Sequence, residues 1–307
     1  MYNSKLKNMK KNVFYLLIVA VLAGMSACGD GGNKPIDPNK VTVNDILGEY
    51  RLESAMLEGH DQMMCMIVEV QKDLILIDGG HNKFTYSIKD GIITVNMVRW
   101  NSQTQQEYTE PVDFEIVSFD KNTHKGVLKE KNYTGWPYDD PTANGEIKGD
   151  LILTFGPLPA PSGKDVTVNE ANVKGKWVLE YSVYKSEFTP KDGSEGYRET
   201  SKSYPPHKVY YEFKDNHIYC NSMVANHGGR EDVYEHPGFW WLSNGSLYFI
   251  EDSYGSIEDY DLDNWNYNIY KVETLKADFM VLHCTWATDT DNGSSRGEEI
   301  LYLSRAK

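Results

Sequence analysis

From residue 41 onward the chain alternates. Tyr50, Leu52 and Ser54 alternate with Arg51 and Glu53; Phe84, Tyr86 and Ile88 alternate with Thr85, Ser87 and Lys89; Val209, Tyr211 and Phe213 follow the same rule. A period of two sends successive side chains to opposite faces of a strand, so each run predicts a strand with one apolar and one polar face. Asp90-Gly91 leads into Ile92–Val95, and Asn244-Gly245 separates two aromatic and aliphatic runs, Phe239–Leu242 and Leu247–Ile250. Both dipeptides suit hairpin turns whose central residues need positive φ. Only Val43–Leu47 and Asn169–Val173 read as short helical turns, with Asn44 and Asn169 as candidate caps. The pattern predicts an all-β protein built of antiparallel meanders, of a size that fits small barrels or sandwiches.

The pattern also repeats. Val41-Thr-Val-Asn-Asp45 recurs as Val166-Thr-Val-Asn-Glu170, an offset of 125, and Gly48-Glu-Tyr-Arg-Leu-Glu53 as Gly175-Lys-Trp-Val-Leu-Glu180, an offset of 127. Lys83–Asp90 parallels Lys208–Asp215 at 125, and the match runs on through Ile93/Ile218 and Asn96/Asn221. Asn144–Leu153 parallels Asn292–Leu301 at 148. Collinear blocks of this kind mark a duplicated unit. They predict two homologous domains, 41–157 and 166–307, joined by a Pro-rich linker at 158–165 that would act as a semi-rigid spacer. The growing offset places about 23 extra residues in the second domain between Met223 and Asp291, most simply an additional or longer hairpin around Asn244-Gly245.

The N-terminus differs from this body. Lys5, Lys7, Lys10 and Lys11 precede the apolar run Val13–Gly24, which is of signal-peptide length and short of the ~20 apolar residues a mature span needs. Met25-Ser-Ala-Cys28 follows and resembles the bacterial lipobox, in which the cysteine is acylated and becomes the new N-terminus. This gives residues 1–27 as a lipoprotein signal peptide, Cys28 as the lipidation site and the Gly-, Pro- and Asn-rich stretch 28–40 as a flexible tether. The expected location is the bacterial cell envelope, as an outer membrane lipoprotein whose face the sequence leaves undecided.

A short opening helix, Gly175-Lys-Trp177-Val-Leu179, Phe213-Lys-Asp215, Trp241-Leu-Ser-Asn-Gly-Ser-Leu-Tyr-Phe249 and Tyr267-Asn-Ile269 together resemble the lipocalin-like domains of Bacteroidota lipoproteins. The first domain shows the opening and the first hairpin and lacks the later Trp/Asn-Gly strand pair. The resemblance implies two tandem antiparallel β-barrels, each with a short N-terminal helical turn and a ligand cavity, and it brings no catalytic residues.

Charge and chemistry narrow the function. The formal net charge is −14, and removal of residues 1–27 would leave −18, which argues against a nucleic-acid partner. Neither a nucleophile elbow, a zincin helix, a P-loop nor a dinucleotide fingerprint is present, so no enzymatic activity and no cofactor are expected. The eight His are scattered; His227 and His236 around Glu231-Asp232 read as a polar loop. Asp259-x-Asp261-x-Asp263 resembles the start of a calcium loop, but Asn264 and Tyr270 stand where Gly and Glu are needed, so no metal site is expected. With Cys28 assigned to lipid, Cys65, Cys220 and Cys284 remain as ordinary thiols, a Cys220–Cys284 bridge being open. The candidate ligand-binding residues are aromatics beside turns: Trp240, Trp265 and Tyr267 at the mouth of the second barrel, and Trp136 and Tyr138 in the first domain. The function expected is a membrane-anchored lipoprotein binding a small apolar ligand or glycan. The alternative is a structural lipoprotein with filled barrels that contacts another envelope protein.

Overall fold

The computed structural model describes residues 36–62, 64–80, 82–101, 104–137, 145–205, 207–227, 230–251 and 268–307. Cys28 and the expected signal peptide lie outside the described residues. Among the described residues no helix is long and apolar enough to cross a membrane, and residues 36–307 form one compact unit.

Among the described residues the alternation is realised as eighteen strands in two sheets. The first holds β1 (Gly48–Leu57), β2 (His60–Asp61), β3 (Ile67–Val70), β4 (Leu74–Ile77), β5 (Asn82–Lys89), β6 (Ile92–Asn101), β7 (Gln106–Asp120), β8 (Lys125–Gly135) and β9 (Ile147–Pro157). The second holds β10 (Gly175–Pro190), β11 (Tyr197–Ser203), β12 (Lys208–Phe213), β13 (Ile218–His227), β14 (Arg230–Ser243), β15 (Ser246–Glu251), β16 (Asn268–Leu275), β17 (Phe279–Asp289) and β18 (Gly293–Arg305). In each sheet the first strand also pairs with the last, β1 with β9 and β10 with β18, so eight strands close into an antiparallel barrel while β2 and β11 lie against the outer half of the first strand. Closure leaves the barrel strands without a free edge.

The two barrels correspond strand for strand in order, and their registers show it. Leu52 pairs with Phe155 and Ala55 with Leu153; Leu179 pairs with Leu303 and Ser182 with Leu301. A β-bulge interrupts both first strands at the same point, between Leu52 and Ser54 and between Leu179 and Tyr181, which bends a long strand round the barrel. The second and fourth sequence blocks therefore coincide with structural equivalence; the first is shifted by two residues, since the caps Thr42 and Asn169 correspond at an offset of 127, and the third does not coincide at all. β12 neighbours β10 as β3 neighbours β1, so Lys208–Phe213 corresponds to β3 and not to the run Lys83–Lys89 of β5. The counterpart of β5 is β14, and the turn Asp90-Gly91 corresponds to Asn244-Gly245; all four residues have positive φ, at 50° and 76° in both turns. The first domain thus has the strand pair that its sequence does not announce, and its barrel closes. Among the described residues the second domain has no additional strand. Its extra length is not at the Asn244-Gly245 hairpin, where the offsets place it, but in longer hairpins β10–β11, which precedes Met223, and β13–β14. In a meander every strand pair looks locally alike, so similarity of one hairpin does not say which neighbour it belongs to.

Each base is closed by the segment entering the barrel. In the first, 3₁₀ turns at Pro38–Lys40 and Val43–Asp45 bring Val41 and Ile46 into the core, with Ile36 packed against it. Residues 36–40, read as the end of a flexible tether, are therefore docked. Asp45 accepts the amide and hydroxyl of Thr42, each at 2.8 Å, and pairs with Lys121. In the second, Asn169 caps the helix Glu170–Val173, and Val173 is fully buried. There the Arg305 guanidinium lies 4.1 Å over the Trp177 ring and donates to the carbonyls of Asn172, Lys174 and Ala277. Tyr50 occupies the Trp177 position in the first barrel, with Pro157 opposite it where the second has Arg305.

The linker 158–165 does not stand free. Leu158 joins Ile67, Tyr181, Val183, Tyr204, Ile300 and Tyr302 in a small apolar core between the barrels, in which the Tyr181 and Tyr302 rings stack at 4.1 Å. Around it, Arg51 bonds Glu180 at 2.6 Å, Lys202 pairs with Glu49, and the Tyr204 hydroxyl donates to the Leu52 carbonyl. The Lys202 amide, on the outer edge of β11, donates to Asp78 of the β4–β5 turn at 3.2 Å. An edge strand is covered by this contact.

Candidate functional site

What separates the two barrels is the size of their inward side chains. With the registers aligned, Val68, Val70, Ile75 and Val95 of the first barrel face the positions of Tyr211, Phe213, Tyr219 and Phe249 in the second, and Tyr50 and Tyr86 those of Trp177 and Trp240. Three aromatic positions run the other way, Phe84 against Gly238, Phe119 against Leu275 and Phe155 against Leu303. The balance fills the second barrel. Phe213, Tyr219, Trp240, Leu247 and Phe249 are all at most 2% exposed there, and Phe249 stacks on Tyr270 at 5.1 Å.

The first barrel is left with a cavity of about 160 Å³. Its walls are Val68, Val70, Ile75, Val95, Phe114 and Leu128 with their neighbours, and its floor is Ile46, Tyr50 and Phe119. The Tyr50 hydroxyl is turned away to the Ile46 carbonyl at 3.0 Å and to His124 at 3.3 Å, and burial pushes it up to about 12. The site therefore offers hydrocarbon and aromatic carbon, and no charged group among its walls. An apolar cavity of ~150 Å³ stays dry and takes up a benzene-sized molecule. Burying a sugar hydroxyl in such walls without a partner would cost a few kcal/mol, roughly 1–3 on mutational scales.

A second concavity, of about 830 Å³, is an open trough across β10, β11, β17 and β18. Its charges are already spent on one another: Glu187 receives both Arg198 and Arg296, and Glu298 receives Lys185 and His283. It is a solvated sheet surface with satisfied ion pairs.

The expected aromatic site is not where the sequence placed it. Trp240 does not line a mouth. It is fully buried at the base of the second barrel, edge-on to Phe213, with its Nε1 donating to the Lys214 carbonyl at 3.0 Å. The reason is register: Trp240 is on the inward face of β14, one turn of alternation from the Asn244-Gly245 hairpin at the closed end. Trp136 is 48% exposed beyond the far end of the first barrel, where its carbonyl accepts from buried Gln62. Trp136 and Trp240 thus belong to different barrels and do not meet. Tyr138, Trp265, Tyr267 and the run Asp259–Asp263 lie outside the described residues. Trp177 is core, whereas Trp241 is half-buried and stacked on Tyr248. Among the described residues no group of three His, Cys, Asp or Glu could hold a metal ion. Cys65, Cys220 and Cys284 are unbridged; Cys220 on β13 and Cys284 on β17 sit on strands that are not neighbours. The cavity residues were missed because Val, Ile and Phe at alternate positions carry the same signal whether a barrel is filled or hollow.

No protein-family model and no curated protein matches the chain. Among solved structures, a lipocalin-like protein from Bacteroides uniformis ATCC 8492 is 17% identical with a TM-score of 0.24, over 44% of this chain and 99% of that one. A protein of unknown function of the DUF3598 family from Nostoc punctiforme PCC 73102 is 9% identical with a TM-score of 0.19, over 87% of this chain and 100% of that one. The fold itself rests on strand order and closure: two eight-stranded up-and-down antiparallel barrels in tandem, which is lipocalin-like architecture.

Proposed function

We propose that this chain is an exported lipoprotein of the bacterial cell envelope, held to the outer membrane through Cys28, that binds a small apolar ligand in its first barrel and has no enzymatic activity. The observation that carries the binding role is the cavity of about 160 Å³ walled by aliphatic and aromatic side chains. A cavity costs stability, on the order of 24 cal/mol per Å³ left empty, so an occupant that fills it recovers part of that cost. Its walls favour hydrocarbon over glycan. The second barrel, with its packed aromatic interior, serves as a structural partner that fixes the first through the interface around Tyr181 and Tyr204. Anchoring is supported by the sequence alone, in the order basic, apolar, small, Cys28.

Toluene is the test ligand. Saturating toluene is expected to raise the melting temperature of the protein, since a ligand at tenfold its Kd stabilises by about 1.4 kcal/mol. Val95→Phe, which installs the residue the second barrel carries at Phe249, is expected to abolish that rise. A rise of equal size in the variant would place toluene elsewhere. For the anchor, Cys28→Ser is expected to move the protein from the membrane to the soluble fraction of cells; retention in the membrane would refute acylation at this position.

A further inference from the structure

Among the described residues, inward-facing charge gathers at one place on the rim of the same cavity. On β8 the inward series Gly126, Leu128 continues to Glu130, which pairs across with Phe114 on one side and Leu151 on the other, both core residues. On β6 the inward series Ile93, Val95, Met97 continues to Arg99, and on β7 Phe114 and Val112 continue to Glu110, which is directly opposite Met97. Leu128, Phe114 and Met97 all wall the cavity. Two residues of strand span about 6–7 Å, so the three charged groups form the next layer above it.

These three groups do not balance. Arg99 is taken by Glu110, Nε to Oε2 at 3.3 Å. Glu130 accepts no hydrogen bond among the described residues. Burial pushes its carboxyl above the usual glutamate range, with Arg99 pulling the other way and Glu110 reinforcing the rise. Among the described residues the layer holds two carboxyls against one guanidinium. The protein around it is acidic, at −14, a field that concentrates cations and repels anions.

We propose that the ligand of the first barrel is a cationic amphiphile: an organic ammonium whose short hydrocarbon or aryl part fills the cavity and whose N–H groups bond the Glu130 carboxylate. This rests on the cavity being the binding site. The ammonium supplies the donors Glu130 lacks, and the hydrocarbon meets walls that have nothing polar to offer. A carboxylate amphiphile would meet the opposite: a guanidinium already paired and an unpaired like charge.

Three probes with one six-carbon chain separate the two claims: hexylammonium, 1-hexanol and hexanoate, each titrated at neutral pH by calorimetry against the full chain and against Glu130→Gln. Hexylammonium is expected to bind about tenfold more tightly than 1-hexanol, the gain of one charge-assisted hydrogen bond, and hexanoate the most weakly. In Glu130→Gln the ammonium advantage is expected to vanish while 1-hexanol affinity stays, which also shows that the variant is folded. If 1-hexanol binds and hexylammonium has no advantage, or the advantage survives in Glu130→Gln, the cationic-amphiphile proposal is overturned and the apolar site stands. If none of the three binds, the apolar site falls and takes the proposal with it.

Discussion

Exchanging the inward residues at one equivalent position should destabilise one barrel and spare the other. Phe249 is 2% exposed, stacks on Tyr270 at 5.1 Å with 6° between the rings, and lies 5.0 Å from Tyr219 and 6.2 Å from Phe213. Phe249→Val removes four buried ring carbons, worth about 3 kcal/mol at ~0.8 kcal/mol each. The lost ring pairing adds about 1 kcal/mol, for roughly 4 kcal/mol in all. In a unit of this size that lowers the melting temperature on the order of 10 °C. The reciprocal Val95→Phe places the same carbons into empty space. Its gain of at most about 3 kcal/mol is offset by ~1–3 kcal/mol of repacking, so its stability should stay within about 1 kcal/mol of the parent. Urea unfolding followed by amide exchange, assigned barrel by barrel, measures both. A Phe249→Val cost below ~1.5 kcal/mol, or a Val95→Phe cost above ~3 kcal/mol, would refute the filled and hollow interiors on which the site rests.

Other contacts make separate forecasts. Arg305→Ala should cost about 2–4 kcal/mol, because three carbonyl bonds and the contact over Trp177 go together; Arg305→Lys should recover less than half, since one ammonium cannot reach three carbonyls, and full recovery in a thermal melt would contradict this. Asp45→Asn should cost about 1 kcal/mol at neutral pH. Lys121 and Thr42 hold the Asp45 carboxyl below its usual 3.8, so its contribution is complete above that pH and drains away as pH falls through it towards the lower folded value. The gap between parent and variant should therefore narrow below about pH 4, and a constant gap down to pH 3 would count against the pairing. Tyr204→Phe combined with Arg51→Ala removes the bonds to Leu52 and Glu180 that tie the barrels. Calorimetry should then resolve two transitions where the parent has one, and an unsplit transition would mean that the apolar contacts alone couple them.

Much of this molecule is legible in its alternation. Inward positions such as Leu52, Phe84 and Ile93 announce themselves because a half-buried strand must put apolar groups on one face only. The shared entry Gly48/Gly175 and the shared exit ending at Leu153/Leu301 are legible because they begin and end the closed sheet, and both must meet the same partner strand. Asp90-Gly91 and Asn244-Gly245 are legible as turns, since few residues tolerate positive φ. Their equivalence is not legible, because nothing in either hairpin records how many strands precede it.

The sequence by itself determined the strands and the duplication, because each is written in neighbouring residues through period and turn chemistry; the lipid address proposed at Cys28 rests on its motif alone. Tertiary structure alone decided which barrel is hollow. That depends on sums across eight strands, in which Val68, Val70, Ile75 and Val95 stand against Tyr211, Phe213, Tyr219 and Phe249, and no single strand carries the total. It also decided that Trp240 is core, and that Arg99, Glu110 and Glu130, far apart in the chain, share one rim. Closure of a barrel turns register into proximity, and register is a relation between strands that no strand holds alone.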